Sequence, residues 1–155
     1  QPDTFLLNNR DLTFTDLSRE AGLDGGQKGR AFAQTDLDRD GQVDFFVGNF
    51  GQQPYLYRNR AKDLGSTQTW LVVTVEGTVS NRDGIGTRLR VSAAGTVQVR
   101  EISSGPSHGG GDERAAFFGL GAATLTHLEV RWPSGEWMDA GYTRTNRHRH
   151  IIEPR

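Results

Sequence analysis

Asp36-Leu37-Asp38-Arg39-Asp40-Gly41-Gln42-Val43-Asp44 places four aspartates within nine residues, with a glycine directly after the third. Two unit charges about 4 Å apart at an effective dielectric near 20 repel by about 4 kcal/mol. A folded loop that gathers these side chains therefore needs a cation, and oxygen-only ligands select a hard one such as Ca²⁺. The opening follows the EF-hand spacing, with ligands at positions one, three and five and glycine at six, but the bidentate Glu of position twelve is replaced by Val47. Asp44, at position nine, closes the site instead, and Asp44-Phe45-Phe46-Val47-Gly48 continues as an apolar strand. The spacing predicts a strand–loop–strand Ca²⁺ site: the side chains of Asp36, Asp38, Asp40 and Asp44 with the Gln42 carbonyl as fifth ligand. The competing reading is a solvated acidic turn, since Asp and Gly are common turn residues.

Strands also suit the composition. Of 155 residues, 34% are hydrophobic and 20 are glycine, which favours short strands and turns over a helical bundle. The length allows one domain or two small units. A net charge of -1 offers no basic field for nucleic acid. Cysteine is absent, which removes disulfides, zinc-thiolate sites and thiol catalysis. No apolar run approaches the roughly 20 residues of a membrane-spanning helix. A calcium loop of ordinary affinity is loaded outside the cell, so an extracellular protein is expected.

Upstream of the loop, Phe5-Leu6-Leu7-Asn8-Asn9-Arg10 is echoed by Tyr55-Leu56-Tyr57-Arg58-Asn59-Arg60, offset by 50 residues, a period seen in blade-like repeats. Between the copies lie a short strand at Leu12 to Thr15 and a single helical turn, Asp16 to Gly22, closed by glycine. Residues 61–69 are polar and aperiodic and mark a boundary. Beyond them, Trp70 to Val75 is apolar on both sides, and Leu89, Val91 and Ala93 alternate with polar residues. Val97 to Ile102 follows an Ala94-Gly95 turn, Leu128, Val130 and Trp132 alternate, and a last short strand is expected at His150 to Ile152.

These pieces carry a resemblance. Asn8-Asn9, Thr13 to Asp16, Ala21 to Leu23, the aspartate loop and Tyr55 to Asn59 resemble an FG-GAP/VCBS-type β-propeller repeat. Ser80 to Gly86, Gln98 to Glu101, Phe118 to Gly121 and Val130 to Gly135 resemble the ASPIC/UnbV domain. The resemblance implies an exported, calcium-loaded, all-β protein and carries no established reaction. The expected fold is all-β: a propeller-blade-like calcium-binding repeat over residues 1–62, then a small antiparallel β-sandwich or barrel over residues 63–155. Closed propellers typically need 4–8 blades, and this chain holds about one.

Other motifs carry less. Gly105-Pro106-Ser107-His108-Gly109 matches G-x-S-x-G, but glycines and Asp112 follow where a nucleophile elbow needs a helix. Gly84-Ile85-Gly86 and Gly119-Leu120-Gly121 complete no phosphate loop and read as turns or tight strand packing. Asn81 and Asp83 offer oxygens for a cation, or an Asx-type turn. His148 and His150 share one face of a strand within a basic stretch and read as a solvated edge. The expected protein is a non-enzymatic, calcium-binding structural or interaction protein. It self-assembles as a homo-oligomer or filament subunit because Phe5, Phe14, Phe32, Phe45, Phe46, Tyr55 and Tyr57 outnumber what one small sheet covers. The alternative roles are a carbohydrate-binding module, with a glycan held near Trp137 and Tyr142, or the C-terminal piece of a larger propeller adhesion protein.

Overall fold

A computed structural model describes residues 3–9, 11–23, 25–26, 28–105 and 109–155. Among them every regular element is a β-strand. Among the described residues no helix is long and apolar enough to cross a membrane.

In the first part, β1 (Leu6–Asn8) pairs antiparallel with β2 (Phe14–Asp16), and β3 (Gly29–Thr35), β4 (Asp44–Asn49) and β5 (Tyr55–Tyr57) form a three-stranded antiparallel sheet. Both copies of the sequence echo are therefore short strands. The expected helical turn lies between β2 and β3. Leu23 N–H donates to Ser18 O at 2.7 Å and Gly22 N–H to Arg19 O at 3.0 Å, the crossed bonds of a Schellman closure. This part has little interior. Leu23 and Val47 are its buried hydrophobic residues among those described, whereas Phe14, Phe46, Tyr55 and Leu56 are exposed.

The second part holds the core. β6 (Thr69–Glu76), β7 (Arg88–Ala93), β8 (Thr96–Glu101), β9 (Ala115–Gly121), β10 (Leu125–Arg131), β11 (Trp137–Arg144) and β12 (Arg147–Ile152) make two sheets, ordered β11-β10-β7-β8 and β12-β6-β9. Period-two alternation turns Leu89, Val91, Leu128 and Val130 inward from the first sheet, and β6 and β9 answer with Leu71, Val73, Ala116 and Phe118. Each such fully buried aliphatic or aromatic side chain contributes about 1.5–3 kcal/mol, so the stability of the molecule is concentrated here.

Of the expected antiparallel sandwich or barrel, the open form is the one found: the sheets face one core without closing into a barrel. One feature departs from an all-antiparallel arrangement: β12 runs parallel to β6, from Arg147↔Leu71 to Ile152↔Glu76. The cause is the corner at Asn146, which switches the chain from one sheet to the other. Asn146 sits at φ 56°, donates its N–H to Trp70 O at 2.6 Å and accepts from Trp70 N–H at 3.2 Å. Pinned to the start of β6, the chain leaves in the same direction as β6. Of the two readings of Gly119-Leu120-Gly121, a turn or tight strand packing, the strand is the one found: the three residues end β9, just after the buried Phe118.

Candidate metal centre

The aspartate loop is the hairpin connection between β3 and β4. It coils because its carboxylates accept the backbone N–H groups of its own turns. Asp36 Oδ1 accepts from Asp40 N–H at 3.0 Å and Asp36 Oδ2 from Gly41 N–H at 2.9 Å. Asp38 Oδ1 accepts from Asp40 N–H at 3.3 Å, and Asp40 Oδ1 from Gln42 N–H at 2.8 Å. The result gathers Asp36, Asp38 and Asp40, with one oxygen of each lying within 4.8 Å of the others. Gly41 is needed twice over: its φ is 86°, and a Cβ there would overlap the Trp70 indole.

The remaining predicted ligands stand differently. Asp44, buried at the head of β4, is outside that group of three; its Oδ2 accepts from Leu37 N–H at 3.1 Å and its Oδ1 from Asn59 N–H at 2.8 Å. It thereby ties both the loop entry and the exit of β5 to one carboxylate. Gln42 is half-buried, with its backbone N–H committed to Asp40.

Several contributors come from far along the chain. Glu113 Oε2 accepts from Asp36 N–H at 3.0 Å and from the Thr35 hydroxyl at 2.9 Å. His148 Nε2 lies 3.4 Å from Asp36 Oδ2, and its ring packs edge-on to Trp70 at 5.2 Å. Arg58 Nη2 meets Asp38 Oδ2 at 2.8 Å. Sequence reading missed these partners, because only the fold brings them to the loop. The one legible hint was His148, placed on a strand face by its alternation.

Burial raises the pKa of Asp36; the Gly41 N–H, His148 and the Asp40 N–H partly offset this, and the Asp40 charge adds to it. A buried carboxylate beside two others is an environment that positive charge stabilises. All the side-chain donors in the group are oxygens, so the site fits a hard divalent cation and not a thiophilic one.

The other motifs resolve as structure. Asn81 closes its own loop, accepting from Ile85 N–H and donating to Ile85 O, each at 2.8 Å, and Asp83 pairs with Arg114. Gly84 packs against Val75. Pro106, Ser107 and His108, the centre of the G-x-S-x-G match, lie outside the described residues.

No curated protein matches the chain. Residues 77–155, just over half of it, match the family described as ASPIC and UnbV. That span contains β7 to β12, and with them Glu113 and His148, the side chains on which the aspartate loop leans. A two-sheet β core carrying this match makes the chain a member of the ASPIC and UnbV family.

Proposed function

We propose that this is a secreted, calcium-stabilised structural or interaction protein without enzymatic activity, which assembles through its N-terminal unit. The convergence of Asp36, Asp38 and Asp40 carries the reading. Ca²⁺ is held by these three carboxylates and the Gln42 carbonyl. Asp44 completes the shell with the lone pairs its two N–H donors leave free, since a carboxylate offers about four acceptor sites. The role of the ion is structural: it neutralises the charge cluster and locks the hairpin from which β3 and β4 run. The N-terminal unit is read as one FG-GAP/VCBS-type blade, supported by its three-stranded meander, the aspartate hairpin and the repeated strand motif.

Metal analysis and calorimetry test this. One calcium per chain is expected, and at about 100 times Kd calcium adds roughly 2.7 kcal/mol of stability. EDTA then lowers the melting temperature. Asp40→Asn, which keeps an acceptor for Gln42 N–H but removes the charge, reproduces the chelated protein. A calcium-free preparation whose melting curve ignores both EDTA and added calcium would overturn the reading.

A further inference from the structure

The solvent face of the sheet β11-β10-β7-β8 lies apart from the aspartate loop. Along β11, Trp137 and Tyr142 are five residues apart, and in a regular strand they would point to opposite faces. A bulge changes this. The pairs Arg131↔Trp137 and Glu129↔Asp139 are followed by Leu128↔Gly141 and His127↔Tyr142, leaving Ala140 as the extra residue. Since Leu128 and Val130 face the core, Arg131, Glu129 and His127 face solvent, and so do their partners Trp137, Asp139 and Tyr142. The bulge is built by specific groups: Asp139 Oδ1 accepts Gly141 N–H at 2.6 Å, and Gly141 sits at φ 78°. Bulges commonly re-aim a side chain in this way.

Between the two rings the face is polar and held in place. Arg90, two strands away, stacks on the Trp137 ring at 4.5 Å, so the indole lies across the sheet. The same guanidinium grips Glu129 through two bonds, Nε to Oε2 at 2.6 Å and Nη2 to Oε1 at 2.5 Å. His127 Nε2 meets Asp139 Oδ1 at 2.8 Å, and the His127 ring packs on Tyr142 at 4.9 Å. Tyr142 is 72% exposed. The four residue steps of β10 from Arg131 to His127 set the backbone positions paired with Trp137 and Tyr142 about 13 Å apart along the strand. One end opens into a cleft of 270 Å³ lined by Arg88, Arg131 and Trp132, whose buried indole N–H has no acceptor among the described residues.

We propose that this face binds a glycan chain, with Trp137 and Tyr142 stacking on sugar rings and the Arg90–Glu129 and His127–Asp139 pairs bonding to hydroxyls. Its chemistry selects this occupant. Protein interfaces are depleted of charge at their centres, and here the centre holds the Arg90–Glu129 ion pair and the hydrogen-bonded His127–Asp139 couple. Because those couples are paired, they offer fixed donors and acceptors with little net field, which suits a neutral, polyhydroxylated ligand with apolar ring faces. No residue of the 36–44 loop takes part, so the proposal stands independently of calcium.

The test is affinity electrophoresis of the full chain in millimolar calcium through gels containing hydroxyethyl cellulose, xylan, galactomannan or carboxymethyl cellulose. At least one neutral polysaccharide is expected to retard the protein. Tyr142→Ala and Trp137→Ala are each expected to weaken association about tenfold or more, the size of an aromatic hot spot. Tyr142 is exposed, so its variant should melt like the parent, which keeps the test valid if Trp137→Ala fails to fold. Retardation by none of the four, retardation by the acidic polymer alone, or full retardation of Tyr142→Ala would each overturn the proposal. So would sedimentation showing that Tyr142→Ala abolishes self-association while no polysaccharide retards the parent, which would assign the face to a second copy.

Discussion

Glu153 shows how one side chain near the end of the chain can hold two loops. Its Oε2 accepts the N–H groups of Thr78, Val79 and Ser80 at 3.0, 2.9 and 2.7 Å, and its Oε1 accepts the hydroxyls of Ser80 and Ser134 at 2.9 and 2.6 Å. Burial alone would push its pKa up, but the donors from Ser134, Ser80 and Val79 win and hold it at about 2, against an ordinary 4.5. A carboxyl whose folded pKa is depressed contributes stability that is complete above its unfolded pKa and is lost as pH falls through the folded one. Glu153→Gln removes the charge and is expected to lower the melting temperature at pH 7 by roughly 5–10 °C. That difference should shrink between pH 4.5 and pH 2. Calorimetry of both proteins across this range checks it, and a difference independent of pH would rule out the charge as the cause.

At the scale of elements, β3 would be a free edge if the second part did not cover it. Glu113 N–H donates to Gln34 O at 2.9 Å, and Asp112 accepts Gln34 N–H at 3.0 Å and the Gln34 amide at 3.2 Å. The same segment delivers Glu113 to Asp36 N–H. A chain segment that read as a glycine-rich loop is therefore a lid on an edge strand and a support for the candidate metal ligands. Supports of this kind typically set metal affinity by about tenfold or more. The double variant Asp112→Ala/Glu113→Ala is expected to speed hydrogen exchange at the Gln34 and Asp36 amides and to weaken calcium binding by that order. Unchanged protection at both amides would show that the β3 hairpin stands without its cover.

For the whole molecule, burial is divided unequally. The contiguous hydrophobic core lies in the second part, on β6, β7, β9, β10 and β12 and their connections, whereas the first part keeps clefts of about 420 and 440 Å³ around Phe5, Leu23 and Phe45. Phe46 and its cross-strand partner Leu56 stand exposed on one face of β4 and β5. Segment 110–113 covers the β3 edge, so the β5 edge and this apolar face are what a second copy would meet. Sedimentation in millimolar calcium is expected to show concentration-dependent association, which Phe46→Lys/Leu56→Lys abolishes. A parent chain that stays monomeric at high concentration would defeat self-assembly.

Local chemistry made a large share of this legible in the sequence alone. Four aspartates at short spacing define a hairpin loop wherever the rest of the chain goes. Alternating apolar residues from Leu89 to Ala93 and from Leu128 to Trp132 define buried strand faces, because side chains in a strand alternate with period two. The ordered motifs from Ser80 to Gly135 pointed to the ASPIC and UnbV family, which the match over residues 77–155 bears out. What depends on partners distant in sequence was decided only by the tertiary structure. The parallel pairing of β12 follows from Asn146 hooking Trp70, and β9 hid behind its glycines. Asp44 was read as a ligand like its neighbours; that the same carboxylate also takes the amides of Leu37 and Asn59 became visible only in the fold. Trp137 and Tyr142 were grouped from sequence as aromatics near a glycan, but their shared face depends on one bulged residue that their odd spacing does not reveal. Periodicity is a property of neighbours along the chain; register, edge cover and sheet switching are set by contacts across it.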